Sequence, residues 1–322
     1  MSSAQWFSTV SSNLFNSSIY QNKYSRVAFS LIGGAFIASK LFTYSKMLLK
    51  PLFTFEKDLA TRYGKGSWVV ITGGSDGVGK AFCFQFAKRG FNVVIIARNQ
   101  EKCEGVVREI KELYPNTETR IIVADFTESW KEEFTEKIEK ETSDLDISVV
   151  VNNVGQLNIN QYSEYPIDQI RNQIIVNCLS QALITRIFLP KLMTRSQKSA
   201  IISLSSLGSQ FPRPYFQIYS ATKAFNDYLS RGLAEEYPNI DILSFKPGLI
   251  STNMTSNKAV DIQTVTPEVV TSTALRFLGS TQTTFGHWKH KLNAFVIAIR
   301  SESARAAYFT RRFNRFKEGF KK

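Results

Sequence analysis

Apolar, β-branched runs recur along the middle of the chain at SWVVITGG, FNVVIIAR, TRIIVADF, ISVVVNNVG, SAIISLSS and DILSFKPG. They are nearly continuous rather than alternating, so strands built from them must be covered on both faces. Between them, the stretches Lys80 to Arg89, Glu101 to Leu113, Trp130 to Glu141, Ile167 to Leu192 and Ala221 to Tyr237 carry a helical pattern. Strands alternating with amphipathic helices predict an α/β fold: a doubly wound parallel sheet with helices on both faces. Ligands then belong at the carboxyl ends of the strands.

The pattern changes outside that region. Residues 1–25 are rich in Ser and Asn and show no core-forming periodicity. From Val27 to Ser39 the chain is uncharged and mostly apolar, shorter than the ~20 residues a spanning helix needs. The run lengthens to Tyr44 if Lys40 extends its ammonium to an interface. The expectation is an N-terminal membrane anchor, spanning or interfacial, with a buried packing helix as the alternative. Lys40, Lys46 and Lys50 follow the run, against Lys23 and Arg26 before it, which places the main domain on the cytosolic side. By pattern the chain divides into a tail and anchor segment (1–50), the α/β domain (51–280) with a substrate lid near 253–270, and a basic amphipathic C-terminal extension (281–322).

Composition narrows the function. With 43% hydrophobic and 21% charged residues, the chain can build a core without disulfide staples. Cys83, Cys103 and Cys178 are odd in number and lack CxxC spacing, which favours a reducing compartment. His287 and His290 are the only histidines and have no neighbouring Cys or carboxylate cluster, so no metal site is expected and a Ser-His-Asp hydrolase is disfavoured. The net charge of +13 calls for an anionic partner, yet no nucleic-acid-binding motif is present. In the tail from Arg300, Arg305, Arg311, Arg312, Arg315, Lys317, Lys321 and Lys322 alternate with Phe309, Phe313, Phe316 and Phe320. That interleaving suits an anionic membrane surface, and the field would also attract the phosphates of an acyl-CoA. A merely solvated tail is the plainer alternative.

Three local patterns carry chemistry. After the first strand, Gly73, Gly77 and Gly79 stand as GxxxGxG within Gly73-Gly74-Ser75-Asp76-Gly77-Val78-Gly79. Glycines there allow a tight turn and close approach of a pyrophosphate, which then rests on the following helix N-terminus. At the end of the second strand, Ala97 replaces the carboxylate that would bond a ribose 2′-hydroxyl, and Arg98 offers a guanidinium to a 2′-phosphate. NADP(H) is therefore expected over NAD(H), although Ser75 and Asp76 add no second cation in the glycine loop. Tyr219 and Lys223 stand one helical turn apart, so phenol and ammonium share a face. The cation is expected to lower the tyrosine pKa from its usual ~10 and make it a proton donor near neutrality. Ser206, thirteen residues earlier at a strand end, could hold a substrate oxygen.

Taken together and in order, TGGSDGVGK, VADF, NNVG, SLSS, YSATK and KPG resemble the short-chain dehydrogenase/reductase family and its Rossmann-type fold, over about Lys65 to Thr255. The resemblance implies a catalytic tetrad of Asn177, Ser206, Tyr219 and Lys223. In it Tyr219 is the acid, Ser206 orients the carbonyl, Lys223 holds the nicotinamide ribose, and Asn177 supports a relay water. It further implies that Asp125 bonds the adenine and that Asn153 and Gly155 line the cofactor cleft. Past Pro247 and Gly248, Ile250 and Thr252 would reach the carboxamide and pyrophosphate. More narrowly, GGSDGVGKAF, NNVG and YSATKAFNDYLSRGLAEEY look like the very-long-chain 3-oxoacyl-CoA reductase and 17β-hydroxysteroid dehydrogenase branch. That likeness implies NADPH/NADP+ as cofactor, a long-chain acyl-CoA or steroid-like ketone as substrate, and residence in the endoplasmic reticulum membrane facing the cytosol. It also implies a homodimer through the helices around Asn177 and Tyr219. A 3-ketosphinganine reductase and a non-catalytic NADPH-binding scaffold are the competing readings.

Overall fold

A computed structural model describes residues 5, 8–9, 22–49, 54–255, 259–261 and 263–319. Most of the Ser/Asn-rich tail, the stretch 50–53, part of the expected lid and the last three residues, among them Phe320, Lys321 and Lys322, lie outside the described residues. The chain forms two compact units, Met1–Thr54 and Phe55–Lys322.

Among the described residues of the first unit lies a long helix, α1 (Lys23–Leu49). Its large apolar residues Val27, Phe29, Leu31, Ile32, Phe36, Ile37 and Phe42 are all more than half exposed. At 100° per residue these positions spread widely around the helix.

The second unit begins with α2 (Leu59–Tyr63) and then alternates as the apolar runs predict. Its strands are β1 (Trp68–Thr72), β2 (Asn92–Ala97), β3 (Thr119–Val123), β4 (Ile147–Asn152), β5 (Ser199–Leu204) and β6 (Ile240–Phe245). The intervening helices are α3 (Gly77–Ala87), α4 (Gln100–Leu113), α5 (Glu132–Glu141), α6 (Ile167–Ile174) and α7 (Ser180–Thr194), then α8 (Gln217–Glu236). Two short strands follow, β7 (Leu249–Ile250) and β8 (Thr264–Val265), then α9 (Pro267–Phe277), β9 (Thr283–Thr284), α10 (Trp288–Ala298) and α11 (Glu302–Gly319).

Seven strands form one sheet in the order β3-β2-β1-β4-β5-β6-β9, parallel throughout. The order reverses between β1 and β4, which opens a crevice above their carboxyl ends. Apolar side chains of alternate strand positions enter two cores, one on each face. Val69, Ile71, Val93 and Ile95 pack under α3 on one face; Val70, Val94, Ile96 and Val150 pack toward α7 on the other. Every residue of β2 and β4 is buried, which explains why neither strand shows alternation.

The helical run Ile167–Thr194 is, among the described residues, long and apolar enough to cross a bilayer by length and composition, but half of it is buried in this domain. It is the helix that packs on β4 and β5, and its continuity is interrupted by a π turn at Ile175–Leu179. Asn177 sits in that turn. Wide turns of this kind often mark places where a side chain is re-aimed.

Part of the segment 253–270, expected as a lid, is regular structure. Strands β7 and β8 pair in parallel, Leu249 with Thr264 and Ile250 with Val265, and close the base of a loop between them. Val265 and Val270 are core residues and α9 starts at Pro267, capped by Thr266.

Candidate active site

The glycine turn links β1 to α3. Gly73 and Gly77 adopt φ of +66° and +52°, a region other residues enter rarely. Gly79 has no such φ but no room either: a Cβ there would lie 2.1 Å from the Gly73 carbonyl oxygen. Asp76 accepts the Gly77 N–H at 2.7 Å and begins α3. Its carboxylate is half-buried, which alone would raise its pKa, but hydrogen bonds from Asn253 and Gly77 and the Lys102 ammonium outweigh that and hold it low. Asn153 fixes the other side of the turn, donating to the carbonyls of Thr72 at 2.8 Å and Gly73 at 3.2 Å.

Tyr219 and Lys223 project from the first two turns of α8 toward the same crevice. The Lys223 ammonium lies 5.9 Å from the Tyr219 ring centroid and donates to the Leu204 carbonyl at 2.8 Å. Burial pushes its pKa down to about 8. Tyr219 differs from the expectation: its pKa is raised, not lowered, because burial outweighs a hydrogen bond with Ser206 and the charge of Arg213. Part of the ring still meets the cavity, but protein surrounds the phenol, so desolvation governs it. Ser206 lies just past the end of β5, and its Oγ also accepts the Gly208 N–H at 3.0 Å.

These groups line one cavity of about 720 Å³. Of the expected cofactor residues, Gly73, Ser75, Asp76, Gly77, Val78, Arg98, Asn153 and Gly155 line it from the sheet side. Pro247, Gly248, Ile250 and Thr252 line it beside β7, and Ser206, Tyr219 and Lys223 occupy its centre. Gly248 is required there, since a Cβ would lie 2.7 Å from the buried His290 ring. His290 in turn is hydrogen-bonded to the Leu249 carbonyl at 3.0 Å and pins this turn in place.

Three expected residues do not line the cavity: Gly79, which packs against the Gly73 carbonyl, Asp125 and Asn177. Asp125 accepts from the N–H and hydroxyl of Thr127, both at 2.9 Å, and starts a short 3-10 turn. That is a capping role, on an exposed side chain. Asn177 lies behind the lining, where its Oδ1 accepts the Gln156 N–H at 2.7 Å and its Nδ2 donates to the Gln156 carbonyl and Thr222 Oγ1. It ties the loop after β4 to α8.

Other lining residues were not foreseen. Lys102, in the first turn of α4, stands with Arg98 and Asn99 at the mouth and pairs loosely with Asp76 at 3.4 Å. It supplies the second cation that the glycine loop lacks, and its spacing of four from Arg98 was the available signal. At the opposite end Leu157, Ile159, Phe216, Ile297, Phe309 and Phe313 form an apolar wall. Phe309 and Phe313 belong to α11; Phe309 is buried, and Phe313 stacks on Tyr215 with ring centroids 3.7 Å apart. These two rings face the cavity rather than an outer surface. The side chains of Arg312, Arg315, Phe316 and Lys317 lie outside the described residues.

A glycine-turn crevice joined to a Ser-Tyr-Lys cluster defines a short chain dehydrogenase, and that family's profile matches residues 67–263. The chain belongs to the short chain dehydrogenase family of oxidoreductases. It is 38% identical over 243 residues to the very-long-chain 3-oxoacyl-CoA reductase of Macaca fascicularis, covering 73% of this chain and 76% of the relative. It is 36% identical over 283 residues to hydroxysteroid dehydrogenase-like protein 1 of Gallus gallus, covering 85% and 83%. A solved 7β-hydroxysteroid dehydrogenase, 25% identical, superposes with a TM-score of 0.71 over 79% of this chain and all of its own. Three solved enzymes of 21–23% identity, with TM-scores of 0.60 or 0.61, share the fold and are complexes with NADP or NADPH.

Proposed function

We propose that the protein reduces the ketone of a long-chain 3-oxoacyl-CoA to the 3-hydroxyacyl-CoA with NADPH, as in very-long-chain fatty-acid elongation. One observation carries the reading. A single cavity joins a glycine-lined nucleotide crevice, the Ser206–Tyr219–Lys223 cluster and a long apolar end. The reductase relatives at 36–38% identity support the substrate class.

The residues present fit the cofactor. Gly73 and Gly77 line the cavity at the α3 N-terminus without side chains, so backbone there can meet a pyrophosphate. Arg98 and Lys102 would take the 2′-phosphate, and Lys223 the nicotinamide ribose. When bound, NADPH supplies the hydride that goes to the ketone carbon. Ser206 Oγ donates a hydrogen bond to the ketone oxygen and orients it. Tyr219 Oη gives its proton to that oxygen as negative charge develops there. The raised pKa keeps Tyr219 protonated across neutral pH, which suits the reductive direction. Asn177 is assigned a positioning role, holding Thr222 and hence the Tyr219–Lys223 turn.

The chain is proposed to work at the endoplasmic reticulum membrane, its second unit facing the cytosol and α1 serving as the anchor. The exposed apolar residues of α1 from Val27 to Phe42 support this, since such a helix in water would leave them uncovered. Removal of residues 1–50 is expected to release the protein from microsomes; continued sedimentation would assign the attachment elsewhere.

A steroid-like ketone is the second reading, favoured by the same apolar end and the hydroxysteroid relative. Purified protein with NADPH, assayed against 3-oxoacyl-CoAs, 17-ketosteroids and 3-ketosphinganine, separates them. Turnover of the acyl-CoAs above the other two is expected; a preference for either alternative would replace the assignment.

A further inference from the structure

Of the two histidines, His290 is fully buried, in the first turn of α10. Its ring stands between two backbone carbonyls: Nε2 lies 3.0 Å from the Leu249 oxygen and Nδ1 3.3 Å from the Phe285 oxygen. Both neighbours only accept, whereas a neutral imidazole carries a single N–H. The Phe285 oxygen already accepts the His287 N–H at 3.0 Å, so the ring proton belongs to the shorter contact and Nε2 donates to Leu249. Burial lowers the ring's pKa by more than its hydrogen bonds with the two carbonyls raise it, which holds the ring neutral.

A polar ring in a place this enclosed is unfavourable unless bonded, and its choice of acceptor has a consequence. A trans peptide is planar, so the Leu249 carbonyl and the Ile250 N–H lie in one plane and point in opposite directions. Holding the carbonyl toward α10 therefore turns the Ile250 N–H away from α10. Pro247, Gly248, Leu249 and Ile250 all line the cavity that contains Tyr219 and Lys223, whereas His290 does not. The ring also presses on the preceding residue, since a Cβ on Gly248 would lie 2.7 Å from its Cδ2. On the other side β8 pairs Ile250 with Val265, so the peptide group is fixed from both directions.

We infer that His290 is a positioning residue for the cofactor: by fixing the Leu249 carbonyl it aims the Ile250 N–H at the nicotinamide carboxamide. This rests on the NADPH reading of the cleft and deepens it. It assigns the nicotinamide half of the nucleotide to a turn that α10 controls, while Arg98 and Lys102 serve the 2′-phosphate half. A misaimed peptide group weakens the hold on the nicotinamide and its alignment with Tyr219, and leaves the adenosine end unaffected.

Adenosine 2′,5′-bisphosphate carries the 2′-phosphate end of the cofactor without the nicotinamide, so its binding reports the fold and the rest of the cleft. Calorimetry on the full-length protein compares it with NADP+ in wild type, His290→Asn and His290→Gln. A glutamine amide can place its N–H where Nε2 stands, facing Leu249; an asparagine amide places it where Nδ1 stands, facing Phe285. NADP+ affinity should fall about tenfold in His290→Asn and recover in His290→Gln, with the bisphosphate bound equally by all three. At saturating NADPH, kcat for a 3-oxoacyl-CoA should follow the same order while KM for the ketone stays constant. Equal losses of both nucleotides in His290→Asn, or NADP+ bound alike by all three proteins, would overturn the role of His290. A wild-type protein that binds neither nucleotide would instead overturn the cofactor reading.

Discussion

Lys223 is an ammonium held inside the protein, and its replacement by Met should separate stability from activity. Its pKa falls from 10.5 to about 8 on burial. That displacement means the charged form destabilises the fold by about 3 kcal/mol relative to the neutral amine. Met has a similar length and no charge. The substitution loses the hydrogen bond to the Leu204 carbonyl, worth about 1 kcal/mol, but Asn226 also donates to that oxygen at 3.4 Å. A net gain of about 2 kcal/mol at pH 7 is expected, together with loss of NADPH oxidation. Below about pH 8 both folded and unfolded chains carry the proton and the penalty is complete. From about 8 to 10.5 the folded chain binds fewer protons than the unfolded one, so the wild type gains stability as pH rises. The advantage of Lys223→Met should therefore shrink across that window. Urea denaturation at pH 7 and pH 10 measures it. A variant less stable than wild type at pH 7, or an advantage that grows with pH, would refute the reasoning.

Arg98→Asp should move cofactor preference toward NADH, because the carboxylate repels a 2′-phosphate and can accept from a 2′-hydroxyl; adding Lys102→Ala should enlarge the change. Unaltered NADPH-to-NADH ratios of kcat/KM in the double variant would remove both cations from the site. Gly79→Ala forces its methyl to within 2.1 Å of the Gly73 carbonyl oxygen, so the turn must shift. NADPH affinity, followed by quenching of protein fluorescence, should drop at least about tenfold if one good backbone contact to the pyrophosphate is lost; wild-type affinity would contradict the assigned cradle.

The sheet was legible because parallel strands buried on both faces leave uninterrupted apolar runs, and β1, β2, β4, β5 and β6 fall where those runs stand. β9 left no such trace: two threonines that pair with Ser244 and Phe245 carry too little pattern. Motif spacing brought Tyr219, Lys223 and Ser206 together correctly, since a helical turn and a strand end are local geometry. The direction of the Tyr219 pKa was not legible, because it depends on how completely the surrounding elements exclude water. Asp125 shows the same limit: an aspartate closing a strand reads alike as a ligand or as a cap, and here it accepts from Thr127. The contribution of α11 was hidden because basic residues between its aromatics suggest a surface. The side of the helix that Phe309 and Phe313 occupy is set by tertiary contact with Arg213 and Tyr215.

Proton donation from Tyr219 is the step on which the account depends. Steady-state oxidation of NADPH by a saturating 3-oxoacyl-CoA, compared between wild type and Tyr219→Phe with NADPH affinity measured in parallel, addresses it directly. The account predicts a fall in kcat of about 10²- to 10⁴-fold with NADPH still bound. Turnover in the variant within a factor of two of wild type would contradict it.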